Sequence, residues 1–179
     1  MSLTGKWIDL IHRVATGTAT YRILFAPLVG LLYAGFVGFF ILISLEFDSL
    51  FSLPPLFDWP YNFFVSIPII IIGFALMLYS IIHFLKVRGT PVPLSPPPVL
   101  VTSGPYRYAR NPMLTGIFIQ LFGTALLLHS LSLLCIFTPL FIAINVWELK
   151  MVEEPELEKR LGQVYVDYKK HVPMFFPWR

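Results

Sequence analysis

The sequence predicts an all-α integral membrane protein of about four transmembrane helices, the last two forming a hairpin. An N-terminal interfacial helix and a C-terminal cytoplasmic amphipathic helix flank them. Three observations carry this prediction. The chain is 56% hydrophobic and only 13% charged, against about 25% charged in soluble domains, so it has too few charges to cover a globule in water. Its charge-free apolar runs are long enough to cross a bilayer. All 13 Lys and Arg residues fall on one side of the topology that those runs define.

Residues 2–20 alternate Trp7, Ile8, Leu10, Ile11 and Val14 with Lys6, Asp9, His12 and Arg13. That pattern suits a helix lying in the membrane interface. Residues 23–45 carry no charge and form the first span. This run is longer than a signal-peptide core and no small-residue cleavage site follows it, so it is expected to stay in the mature chain. Residues 46–60 hold Glu46, Asp48, Asp58 and three prolines, which reads as a loop. Residues 62–85 form the second span, with Pro68 in its early turns, where proline is best tolerated.

Residues 89–112 hold seven prolines. Proline fixes φ, so this is a stiff, ordered loop beside the membrane rather than a flexible linker. Residues 113–147 are apolar apart from His129-Ser130 in the middle. As one helix they would run about 52 Å, too long for a single crossing. Two spans, 113–128 and 131–147, turning at His129-Ser130, fit better. Residues 150–179 are polar, and Leu157, Leu161, Val164, Tyr165 and Tyr168 mark an amphipathic helix over 156–170. The whole chain is one membrane domain.

Four spans place both termini and the proline-rich loop on one side, together with every basic residue. The positive-inside rule makes that side cytoplasmic. Cys135 stands alone in an apolar run and excludes an intrachain disulfide. The four histidines lie on separate segments without metal-pair spacing, so no metal site is expected. A structural hydrogen bond is expected of His83.

Two cytoplasmic segments concentrate polar side chains, and a hairpin between them forces them together. In 99–114, Gly104-Pro105 is a turn signal and Asn111 is held extended by Pro112. Arg107 and Arg110 there read equally as anchors to lipid phosphate. In 148–173, Glu153, Glu154 and Glu156 surround Pro155. They read either as acids favouring a helix N-terminus or as a carboxylate pair for a cationic ligand. The residues alone leave both choices open.

The string from Gly104 to Pro112, Gly-Pro-Tyr-Arg-Tyr-Ala-Arg-Asn-Pro, resembles a signature of the isoprenylcysteine carboxyl methyltransferase family and its phospholipid methyltransferase relatives. The later string, Glu153-Glu154 followed by Leu157, Gly162, Tyr165, Tyr168 and Val172-Pro173, resembles the same families. The leading 89–93 is most similar to prokaryotic members. The resemblance departs at Asn111 and Leu114, where the isoprenylcysteine enzymes usually carry His and Tyr.

The resemblance implies a membrane methyltransferase that uses S-adenosylmethionine at the cytoplasmic face. It implies cofactor contacts from Pro98, Val99, Leu100, Val101, Tyr106, Asn111, Pro112, Met113, Leu114 and Glu153. Arg110, Asn111 and Glu154 are the candidate catalytic residues. The expected partners are a lipophilic or lipidated acceptor and membrane lipids, with no nucleic acid; the sequence does not reveal the oligomeric state. The alternatives are a nicotinamide-dependent membrane reductase and a non-catalytic lipid-binding subunit.

Overall fold

The structure, a computed structural model, describes residue 9, residues 19–87 and residues 99–175; for 19–26 only the backbone is described. The expected interfacial helix at 2–20 therefore lies outside the described residues, apart from Asp9 and the start of the next helix. So do residues 89–98 of the proline-rich loop, including Pro98. The described residues are helical and contain no strand.

Helix α1 runs Ala19–Leu50, α2 Tyr61–Lys86 and α3 Pro112–Leu127. Helix α4 runs Leu133–Leu161 and α5 Gln163–His171. A 3-10 turn, Gly104–Arg107, stands between α2 and α3. Among the described residues, three helices are long and apolar enough to cross a membrane: α1 over Pro27–Leu50, α2 and α4. Helix α3 is apolar but shorter, at 16 residues.

Helices α2 and α3 pack antiparallel and close, because glycines face each other where they cross. A Cβ on Gly73 would stand 2.6 Å from the Gly116 carbonyl oxygen, and one on Gly123 would stand 2.7 Å from Ile70. Small residues of this kind let backbones approach where lipid offers no hydrophobic drive for association. Phe40, Phe118, Leu121, Leu133 and Phe141 form the apolar core where α1, α3 and α4 meet. Their rings meet edge to face, with Phe40 and Phe141 centroids 5.2 Å apart.

Three boundaries differ from the sequence expectation. First, Glu46 and Asp48 are not in a loop; they belong to the last turns of α1. Asp48 is kept helical by its use as a cap. Its carboxylate accepts from the Ser132 amide at 2.9 Å and from the Ser130 hydroxyl, at the N-terminus of α4. An acid there meets the positive end of the helix dipole. The Ser132 hydroxyl also donates to the Ser44 carbonyl at 2.9 Å. Asp48→Ala leaves these buried donors unpaired, and is expected to lower stability by about 1–3 kcal/mol, read as a lower melting midpoint in detergent.

Second, α4 does not stop at Trp147. It continues to Leu161 through two π-helical turns, Leu133–Phe137 and Leu149–Glu153. Each π-turn comes two residues before a proline, Pro139 and Pro155. Proline lacks the amide hydrogen and clashes with the carbonyl one turn back. A widened turn just before it absorbs that misfit without ending the helix.

Third, the amphipathic segment over 156–170 is not one helix. Gly162 has φ +61°, which breaks it into the end of α4 and the separate α5. Between α3 and α4, the chain turns at Leu128–Ser130. The Ser130 amide donates to the Ala125 carbonyl at 2.9 Å and the His129 amide to that of Leu126 at 3.3 Å, with His129 left-handed at φ +57°. This is the double-bonded helix stop usually built on glycine. The Asn62 amide holds it from α2, 2.9 Å from the His129 ring.

Candidate active site

The proline-rich segment, α3 and the far end of α4 are stitched into one wall. Gly104 turns the chain at φ +59°, and a Cβ there would stand 2.2 Å from the His83 ring, so only glycine lets the loop lie on α2. His83 itself is held through Nδ1, 2.9 Å from the Tyr79 carbonyl. Tyr106 is thereby buried against Phe84, ring centroids 5.0 Å apart and nearly perpendicular.

The C-terminal segment closes over this turn. The amides of Arg110 and Asn111 donate to the carbonyls of Pro173 and Met174 at 2.9 and 3.0 Å. The Asn111 side-chain amide adds a longer bond to Met174 at 3.4 Å. The Tyr168 hydroxyl donates to the Tyr106 carbonyl. Arg110 is paired with Glu154, whose other oxygen meets Lys169 at 2.6 Å. Arg110 also shares a hydrogen bond with Tyr165.

Inside this wall is a cavity of about 740 Å³. Val99, Leu100, Val101, Tyr106, Arg110, Asn111, Met113, Leu114 and Glu153 all line it. Two expected residues do not. Pro112 is buried as the first residue of α3. Glu154 is buried behind the wall, its carboxylate taken by Arg110 and Lys169. Pro98 lies outside the described residues.

Several wall residues were not singled out as site residues in the sequence: Tyr33, Gln120, Asn145, Glu148, Glu156 and Arg160. A signal for three of them existed. Tyr33, Gln120 and Asn145 are isolated polar residues inside apolar runs, and a polar group at membrane depth is a functional candidate by default. Arg160 is fixed by Glu156, at 3.0 and 3.3 Å to its two carboxylate oxygens.

Glu153 reaches the cavity by way of the second π-turn. In a regular α-helix, positions 148 and 153 would be about 140° apart around the axis. A π-turn bonds residue i to i+5 and brings such positions to one side. Glu148 and Glu153 therefore both line the cavity. Neither makes a hydrogen bond or ion pair with another described residue. Burial pushes the phenols of Tyr106, Tyr165 and Tyr168 above their ordinary range, so all three stay protonated and able to donate.

A comparison with family models gives the class of the chain. The model described as phospholipid methyltransferase matches residues 61–164. The chain belongs to the phospholipid methyltransferase family. The match begins at α2 and covers the 3-10 turn, α3 and α4. It leaves α1, with Tyr33, and the closing segment at Pro173-Met174 outside. Family membership makes this chain a methyltransferase, and its long apolar helices make it an integral membrane one. Among curated proteins and among solved structures, none matches the chain.

Proposed function

We propose that this phospholipid methyltransferase family member uses S-adenosylmethionine to methylate a lipophilic or amphipathic acceptor at the cytoplasmic membrane face. The observation that carries the reading is one cavity with two kinds of wall. The loop, the turn at Arg110-Asn111 and the end of α4 supply polar groups. Val29 and Val37 of α1, Met77 and Ile81 of α2, and Ile117 of α3 supply an apolar continuation between the helices. A cofactor bearing an ammonium group suits the first kind, and a lipid-like chain suits the second.

The residues fit the cofactor. The cavity volume is in the ordinary range for small-molecule sites, about 300–1,000 Å³. Glu153 offers a carboxyl group with no hydrogen-bond or ion-pair partner among the described residues, suited to an ammonium group through a charge-assisted hydrogen bond. Val99, Leu100 and Val101 supply backbone groups along the loop. Tyr106, Met113 and Leu114 supply flat and apolar surface, and Pro112 starts α3 behind them. When bound, S-adenosylmethionine supplies a methyl group activated by its sulfonium for transfer to a nucleophile.

Arg110 and Asn111 reach the reaction space from the wall and orient the bound groups. Glu154 acts through Arg110 and is a positioning residue. What the chain itself contributes is placement and exclusion of water, which can supply a large share of the barrier reduction in a group transfer.

The topology that serves this reading has four spans, α3 being the short one, about 24 Å long. Both termini are then cytoplasmic, since residues 51–60 and the α3–α4 turn carry no Lys or Arg. Calorimetric titration of S-adenosylhomocysteine into the detergent-solubilised full-length protein tests the proposal. Saturable binding at micromolar concentration is the expected result; no heat up to millimolar concentration overturns it.

A further inference from the structure

The apolar part of the cavity carries a polar patch, Tyr33 of α1 with Asn145 and Glu148 of α4, apart from Gln120 of α3. The Tyr33 hydroxyl donates to Asn145 Oδ1 at 2.9 Å, and Asn145 Nδ2 donates to the Phe141 carbonyl at 2.8 Å. The tyrosine proton is thus committed inside the protein. What the patch has left to offer is mainly lone pairs, on the Tyr33 oxygen, on Asn145 Oδ1 and on both oxygens of Glu148. Glu148 makes no hydrogen bond or ion pair with any described residue. A carboxylate at this depth without a partner is costly to keep.

The charges around it sharpen the point. The two arginines on the wall, Arg110 and Arg160, are each held by a carboxylate, Glu154 and Glu156. Glu148 and Glu153 are left facing the cavity together. If Glu153 takes the ammonium of the cofactor, Glu148 is the acid that remains for the second substrate.

Resting on the methyltransferase reading, we infer that Glu148, set beside the Tyr33–Asn145 pair, is a specificity-determining residue for the methyl acceptor. It takes a head group that carries N–H or O–H and turns away one that is anionic. A donor-bearing head group meets unsatisfied lone pairs. A carboxylate there meets mainly acceptors and gains no such bond.

The test uses full-length protein in neutral detergent and three single-chain probes of equal length: dodecylamine, dodecanol and dodecanoate. Apparent affinities come from the shift of the melting midpoint with probe concentration. Wild-type protein is expected to bind dodecylamine more tightly than dodecanoate by about tenfold or more, the worth of one charge-assisted hydrogen bond. The overall charge of +3 works in the opposite direction, so general electrostatics cannot produce this order. Dodecanol is expected between the two.

Glu148→Gln is expected to bring the amine and carboxylate probes close to equal affinity. Tyr33→Phe keeps the ring, and is expected to weaken dodecylamine without improving dodecanoate. Wild-type protein that binds dodecanoate as well as dodecylamine overturns the inference. So does an unchanged ratio in Glu148→Gln. Should that variant fail to fold, the wild-type ratio and Tyr33→Phe decide. S-adenosylhomocysteine titrated into the wild type separately judges the methyltransferase reading, and its failure there leaves the head-group ratio to stand or fall by itself.

Discussion

Replacing Glu153 by Gln is expected to weaken S-adenosylhomocysteine binding by about 10–100-fold, the equivalent of roughly 1.5–3 kcal/mol for a hydrogen bond to a charged group. The substitution keeps shape and removes charge, and Glu153 has no hydrogen-bond or ion-pair partner among the described residues that would be stranded. Folding is therefore expected to survive, with the melting midpoint of the ligand-free protein unchanged or raised. That combination, lost affinity without lost stability, separates a ligand-binding carboxylate from a structural one. Titration calorimetry and thermal melting on one preparation read both. Unchanged affinity would remove Glu153 from the cofactor site.

The neighbouring acid is expected to behave in the opposite way. Glu154→Ala strands the Arg110 guanidinium, whose side chain is only 10% exposed and whose Nε already lacks a partner. Breaking a buried ion pair from one side costs about 3–5 kcal/mol, because an uncompensated charge is left behind. Lys169, at 37% exposure, can turn to water and adds little. A steep fall in melting midpoint is the expected result, with cofactor affinity falling as the turn at Arg110-Asn111 loosens from the closing segment. The pair Arg110→Met with Glu154→Leu is expected to recover much of the stability, since no charge is then buried alone. It is not expected to recover binding. If Glu154→Ala melts like the wild type, the ion pair does not hold this wall together.

Two adjacent glutamates thus have opposite expected roles, and the reason is not in their chemistry. Read as letters, Glu153-Glu154 is a pair at the mouth of a hairpin. Which one faces the ligand depends on the rotation of α4 at that point, and the π-turn over Leu149–Glu153 sets that rotation. Pro155 is the sequence element behind the turn, but proline there reads just as well as the start of a new helix. Continuity through it is decided by packing against the rest of the bundle. Tyr33 is a similar case. It comes from α1, outside the segment matched by the family, and reaches the cavity only because α1 packs beside α4.

Hydrophobic run length and charge are local properties, and they were enough for the membrane class, for an apolar run within each of α1 and α2, and for the meeting of two polar segments. Bilayer thickness imposes those on any chain of this pattern. Gly104-Pro105, Asn111-Pro112 and the acidic string could be located the same way, because glycine and proline constrain the backbone wherever they stand. The helix ends at Glu46–Leu50 and Gly162, the unbroken course of α4, and the side of that helix on which each acid emerges belong to tertiary structure. They rest on capping, close glycine contact and a widened turn, each of which exists only when residues far apart in the chain are already in place.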